Sequence, residues 1–172
     1  MRRDDPRLSI RLDDAEEHRP VAVLSRSLEL SPDARLFARN DPASVLVFTG
    51  PDGSEASARA IEGVATVVRV AEDERGLDLG AVLRELAERG VHSVLVEGGG
   101  ATLHHFLSQG LAQRAALFQA PLALGARGAT AAFDGETVVA PSAGWSLVRE
   151  TVLPVGPDQL VLGSWVAPDA GA

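Results

Sequence analysis

The chain has 172 residues, 45% of them hydrophobic and 23% charged, with a formal net charge of −8 and no cysteine. Its length suits one domain that buries roughly two-thirds of the surface an unfolded chain exposes. The acidic balance offers no field to attract nucleic acid or an acidic membrane, although a phosphorylated ligand needs only a few local donors. The missing thiols exclude disulfides, thiolate chemistry and cysteine-ligated zinc.

The first eleven residues are charged and interrupted by proline, and Leu12 to Pro20 reads as an exposed acidic connector. Short runs rich in β-branched residues follow at Val21–Leu24, Val45–Phe48, Thr66–Val70 and Ser93–Val96, each the length of a strand buried on both faces. Between them lie helical patterns. Ser54 to Glu62 is a weak one, stopped by Gly63. Gly80 to Arg89 is the clearest, with Asp78 as cap, Leu79, Val82, Leu83, Leu86 and Ala87 on one stripe, and Gly90 as stop. A third helix is predicted over Ala101 to Gln109, ended by Gly110. Strands alternating with helices call for a mostly parallel central sheet covered on both sides. Ala115 to Pro121 reads as an apolar strand and Ala123 to Pro141 as a Gly/Ala-rich loop. Ser146–Leu153 and Gln159–Val166, joined through Pro154-Val-Gly-Pro-Asp158, read as an antiparallel C-terminal hairpin. One domain is expected over residues 1–166, with 167–172 as a flexible tail. No run approaches the roughly 18 apolar residues of a membrane span, so a cytoplasmic location is expected.

Two segments carry candidate ligand chemistry. In Val94-Leu-Val-Glu97-Gly98-Gly99-Gly100-Ala101-Thr102, three residues without Cβ run into a helix start. Such a backbone can approach a pyrophosphate closely, with free N–H groups and the positive dipole end aimed at it. The spacing is not G-x-G-x-x-G, since Leu103 takes the third glycine's place, and a tight structural turn is the competing reading. Ser25-Arg26-Ser27 follows the first buried strand, at the strand end where open α/β sheets bind ligands. A hydroxyl beside a guanidinium suits a ribose 2′-phosphate, an acidic residue there would favour NAD, and a solvated turn is the plainer alternative. His104 and His105 stand one apart on a helix with no ligand at metal spacing, so no metal site is expected. His92 reads as a strand-entry residue, Asp13-Asp14 and Glu16-Glu17 as solvated loop, and Trp145 and Trp165 as packing for the terminal hairpin.

Taken together, Asp4-Asp5-Pro6-Arg7-Leu8-Ser9-Ile10-Arg11, Val23-Leu24-Ser25, Val96-Glu97-Gly98-Gly99, Ala120-Pro121-Leu-Ala-Leu-Gly125 and Gly156-Pro157-Asp158 through Gly163 resemble, in order and spacing, the motifs of the riboflavin-pathway pyrimidine reductases. That family includes the reductase half of the bifunctional deaminase–reductase. The resemblance implies a dihydrofolate-reductase-like three-layer α/β fold. It also implies NADPH-dependent reduction of 5-amino-6-(5-phosphoribosylamino)uracil to its ribitylamino product; separately, the apolar strand edge leads us to expect a homodimer. Carried over position by position, Asp4 would contact the cofactor, and Leu8, Arg11 and Glu97 the phosphorylated pyrimidine. Ser25, with Arg26 beside it, would meet the adenosine end of NADPH. Gly99, Gly100, Ala101, Thr102, Leu103, His104 and His105 would wrap the cofactor phosphates. The family carries a strand–helix–strand unit ahead of D-D-P, with an S-x-D-G segment and a G-x-G-T-V strand end, and this sequence has none of it. The chain is therefore expected to be N-terminally incomplete, poorly stable or oligomeric as it stands, and active only when extended. The alternatives are a related NADPH reductase acting on another pteridine or pyrimidine, and a non-catalytic remnant that binds nucleotide.

Overall fold

The computed structural model describes residues 5–12, 15–39, 41–123, 125, 128–136 and 138–168. It divides into two compact units, Met1–Ser93 and Val94–Ala172.

The first unit contains strands β1 (Ile10–Leu12), β2 (Ala15–Glu17), β3 (Val21–Leu24), β4 (Val45–Thr49), β5 (Thr66–Arg69), β6 (Glu72–Asp73) and β7 (Gly76–Leu77), with helices α1 (Glu55–Ile61) and α2 (Leu79–Glu88). Strand β4 is buried at all five positions and organises the unit. It pairs in parallel with β3, Val21 opposite Val45, and with β5, Leu46 opposite Thr66. Because side chains alternate along a strand, Val45 and Val47 join Val23, Leu28, Phe37 and Ile61 in one core, while Leu46 and Phe48 join Leu77, Val82 and Leu86 in another. Two-sided burial is why this stretch reads as a continuous apolar run. Helix α1 supplies Ile61 to the first core, and its start is capped by Ser54, whose hydroxyl accepts from Ser57 N at 3.2 Å. Helix α2 supplies Val82 and Leu86, one turn apart, and Asp78 caps it by accepting from Ala81 N at 2.9 Å. Gly90, at φ +81°, ends α2 in the left-handed conformation that glycine adopts without strain. Leu28 holds a φ of +54° while fully buried, so apolar packing must outweigh the steric cost of that backbone.

In the first unit two features depart from the sequence-based expectation. Residues expected to form an acidic connector contribute to the antiparallel β1–β2 hairpin, with Ile10 opposite Glu17; Asp13 and Asp14 lie outside the described residues. A second hairpin, β6–β7, follows β5 directly. Pieces of two or three residues are too short to carry a period-2 pattern, so backbone pairing reveals what side-chain alternation cannot.

The second unit holds α3 (Gly100–Ser108) and strands β8 (Arg114–Gln119), β9 (Ser146–Val155) and β10 (Asp158–Val166). They form an antiparallel sheet in the order β8-β10-β9. Between β9 and β10 the chain reverses at Gly156, φ +59°, as its Gly-Pro composition predicts. Register passes from Leu162 opposite Thr151 to Gly163 opposite Arg149, leaving Glu150 as the extra residue of a bulge. Its carboxylate accepts from Ser164 Oγ at 2.5 Å and from Arg114 Nη2 at 2.7 Å, forming a polar rung across all three strands. Gly163 is required there, because a Cβ would collide with the Val148 carbonyl. Trp165 meets Phe133 edge-to-face, ring centroids 5.6 Å apart.

The predicted strand over Ser93–Val96 is not formed. Among the described residues no strand pairs with it, and Val94 and Leu95 are exposed, Leu95 at 78%. An apolar, β-branched sequence marks a segment able to join a sheet, but without a neighbour to complete the ladder it forms no strand.

Candidate functional site

The segment that follows D-D-P is held by an arginine distant in the chain. Arg39 Nη2 donates to the carbonyls of Arg7 (2.9 Å) and Leu8 (3.0 Å), Nη1 to that of Arg19 (2.8 Å), and Nε to that of Leu36 (2.9 Å). Only a planar fork of donors can reach four acceptors in this way. Partial burial pushes the Arg39 pKa below its ordinary value. Asp5 adds a second tie, its Oδ1 accepting from Arg35 N at 2.9 Å. Leu8, the expected substrate contact, is half-buried with φ +51°. The Arg11 backbone lies in β1, while its side chain, and the whole of Asp4, lie outside the described residues.

The C-terminal ends of β3, β4 and β5 gather a polar group. Ser25 N donates to Phe48 O at 2.9 Å, and the buried Thr49 hydroxyl donates to the Arg26 carbonyl at 3.0 Å. These bonds fix the turn that carries Ser25 and Arg26. Arg69, the last residue of β5, spends its guanidinium on the carbonyls of Gly50, Pro51 and Gly53 and on Glu55. Arg26 remains 70% exposed at its side chain, and its Nη2 lies 2.6 Å from Glu72 Oε2. Glu72 rests against Gly50, where any Cβ would collide with its carboxylate.

In the second unit the three glycines prove to serve different ends. A Cβ at Gly98 would fall 2.6 Å from Thr102 Cβ, so this glycine makes room for the first helical turn. A Cβ at Gly100 would collide with the Ala131 carbonyl and come within 3.0 Å of Asp134, so a crossing loop explains that one. At Gly99, the N-cap of α3, a Cβ would meet nothing within 4 Å. Its backbone is open to a ligand, beside helix N–H groups whose dipole favours an anion. Ala101 is exposed, and Leu103 N donates to Gly99 O at 3.0 Å. His104 and His105 sit a turn further on, His104 against Gly135 and His105 Nε2 2.7 Å from Gln109 Nε2. Glu97 is exposed immediately before the glycines. An open backbone at a helix start in the second unit, and in the first a hydroxyl with an exposed guanidinium at a parallel strand end, are each a donor set that fits a phosphate group.

Residues 1–158 match the family described as the RibD C-terminal domain. The chain belongs to that family. It is 32% identical over 143 residues to the 2,5-diamino-6-ribosylamino-4(3H)-pyrimidinone 5′-phosphate reductase of Archaeoglobus fulgidus, an alignment covering 78% of this chain and 64% of that protein. It is 28% identical over 123 residues to the riboflavin biosynthesis protein RibD of Aquifex aeolicus, covering 72% of this chain and 33% of that one. The solved structure of Acinetobacter baumannii RibD, form 2, superposes with a TM-score of 0.74 at 20% identity, over 95% of this chain and 44% of that one. The chain thus spans less than two-thirds of each relative's length. The shared fold is the dihydrofolate-reductase-like α/β fold that the motifs imply, with a parallel three-stranded sheet and an antiparallel hairpin sheet.

Arg39, Glu72 and Thr49 are the positions that the sequence did not single out. Each acts on groups at least 23 residues away in the chain or on backbone carbonyls, neither of which a local pattern records.

Proposed function

We propose that this RibD-family chain provides the reductase chemistry of riboflavin-precursor synthesis, the NADPH-dependent reduction of 5-amino-6-(5-phosphoribosylamino)uracil to its ribitylamino product. The observation that carries the nucleotide part is Gly99, the one member of the glycine run with no neighbour where a Cβ would stand. Bound NADPH would supply the hydride that reduces the ribose carbon. The chain's own work is to bind and orient. Gly99 and the first turn of α3 take a phosphate, Ser25 and Arg26 take the adenosine ribose end, and Glu97 positions a substrate hydroxyl or ring N–H. Asp4 meets the cofactor, and Leu8 and Arg11 meet the substrate, with Arg39 and Asp5 fixing the segment between them. A second substrate reading, the 2,5-diamino-pyrimidinone counterpart, is favoured by the name of the Archaeoglobus relative. The reductase reading covers residues 1–166, which include most of both compact units.

A homodimer is supported by apolar side chains exposed on the antiparallel sheet, Phe118 at 65% and Val148 at 54%. No helix among the described residues is long and apolar enough to cross a membrane, and a cytoplasmic setting suits a reductase of this kind. The test is NADPH oxidation with each pyrimidine as substrate, alongside titration of NADPH and NADH by calorimetry and the solution mass by light scattering. Turnover with one pyrimidine and tighter binding of NADPH are expected. Binding of neither nucleotide, or turnover of neither pyrimidine with NADPH bound, overturns the assignment.

A further inference from the structure

A parallel sheet presents its strand ends as a ligand shelf, and this one holds an acid among its bases. Glu72, in β6, reaches across the ends of β5 and β4 to Arg26 after β3, at 2.6 Å. Its seat depends on Gly50, since a side chain there would occupy the place of the carboxylate. The partners differ in exposure: Arg26 is 70% exposed at its side chain and Glu72 only 21%, so the carboxylate is the fixed member and the guanidinium the one a solute meets. Arg69 cannot offset the acid, because its donors are committed to three carbonyls and Glu55.

We propose that Glu72 is a specificity-determining residue for the nucleotide: it holds the Arg26 fork and weakens the preference for a ribose 2′-phosphate over a free 2′-hydroxyl. This rests on the reading of Ser25 and Arg26 as the adenosine-ribose subsite. A phosphate dianion taking Arg26 must share it with a carboxylate of like sign a few ångströms away. A 2′-hydroxyl instead donates to that carboxylate. The pair therefore accepts both nucleotide forms, where a lone arginine would strongly favour the phosphorylated one.

The test is calorimetric titration of the full chain with adenosine 2′,5′-bisphosphate and with 5′-AMP, which isolate this subsite from the rest of the cofactor. E72Q keeps the shape that rests on Gly50 while removing the charge. It is expected to tighten the bisphosphate about fivefold (~1 kcal/mol, the upper range for an exposed pair) and to leave 5′-AMP unchanged or weaker. In an R26Q background the same substitution should give no such gain, since no guanidinium remains to release. A fall in bisphosphate affinity on E72Q, an equal gain for both ligands, or a gain that persists without Arg26 overturns the proposal. If R26Q loses the discrimination but E72Q leaves it untouched, the Glu72 role alone fails. If the parent, E72Q and R26Q all bind both ligands alike, the cofactor subsite fails with it.

Discussion

Replacing Arg39 with alanine removes four hydrogen bonds that tie residues 7, 8 and 19 to the turn at Leu36. The bonds to the Leu36 and Leu8 carbonyls are part-buried and those to Arg7 and Arg19 are exposed. Water replaces the guanidinium readily at the exposed pair, which therefore contributes little. Each part-buried carbonyl left without a donor costs about 1–1.5 kcal/mol. The desolvation that lowers the Arg39 pKa is relieved at the same time and offsets a fraction of this. A net loss of about 2 kcal/mol follows, or roughly 4–8 °C in melting temperature for a chain of this size. The effect should be local as well as global, because the same bonds position the Asp5–Leu8 segment. Trypsin should cut after Arg7 faster in the variant, while cleavage after Arg84 and Arg89, in and after α2, follows only the global loss. Arg39→Lys should recover a minor share, since one ammonium cannot span carbonyls approached from different directions. Circular-dichroism melts and timed tryptic digests of the three proteins decide the matter. An alanine variant that melts within about 1 °C of the parent and is cut at the same rate would show that the fork holds nothing.

The glycine run makes a paired prediction. Gly99→Val should keep the fold while lowering NADPH affinity at least tenfold, about 1.4 kcal/mol, whereas Gly100→Val should lower the melting temperature because it collides with the Ala131 carbonyl; calorimetry and melts of both would expose a reversal. Glu97→Gln should depress kcat or raise KM for the pyrimidine and leave NADPH affinity within about threefold, a change of ~0.7 kcal/mol or less. Loss of nucleotide binding instead would move Glu97 to the cofactor. Leu28→Ala removes a fully buried side chain from the first core and should cost about 2–5 kcal/mol in urea unfolding, and a cost under ~1 kcal/mol would mean that neighbouring side chains close over the cavity.

Much of the fold was legible because its strongest signals are local. The apolar run Val45–Phe48 announces β4, and Asp78 with the Val82/Leu86 stripe announces α2 to within a residue. The hairpin was legible for the same reason, a Gly-Pro turn between two β-rich runs. Ser93–Val96 shows where such reading stops: propensity describes what a segment can do, and pairing decides what it does. The glycine run was legible as a place of close approach, but not the division of labour within it. Only neighbours from 131–134 separate Gly100, covered by chain, from Gly99, open to solvent. Glu72 was invisible for a comparable reason, since 45 intervening residues separate it from Arg26 and only the parallel register of β3, β4 and β5 brings the two strand ends together.

Strand β4 also sets a clock for the first unit. Its backbone is flanked by a strand on each side, and its side chains are covered on both faces. Amides in such a position exchange with solvent only when the surrounding sheet comes apart, so deuterium should persist at Val47 and Phe48 long after β1, β2 and the β6–β7 hairpin have equilibrated. Thr49 and Gly50, which brace Arg26 and seat Glu72, continue directly from that slow segment. The groups that would greet a nucleotide are thus anchored to the portion of the unit slowest to open, and their geometry should outlast fluctuations that loosen its margins.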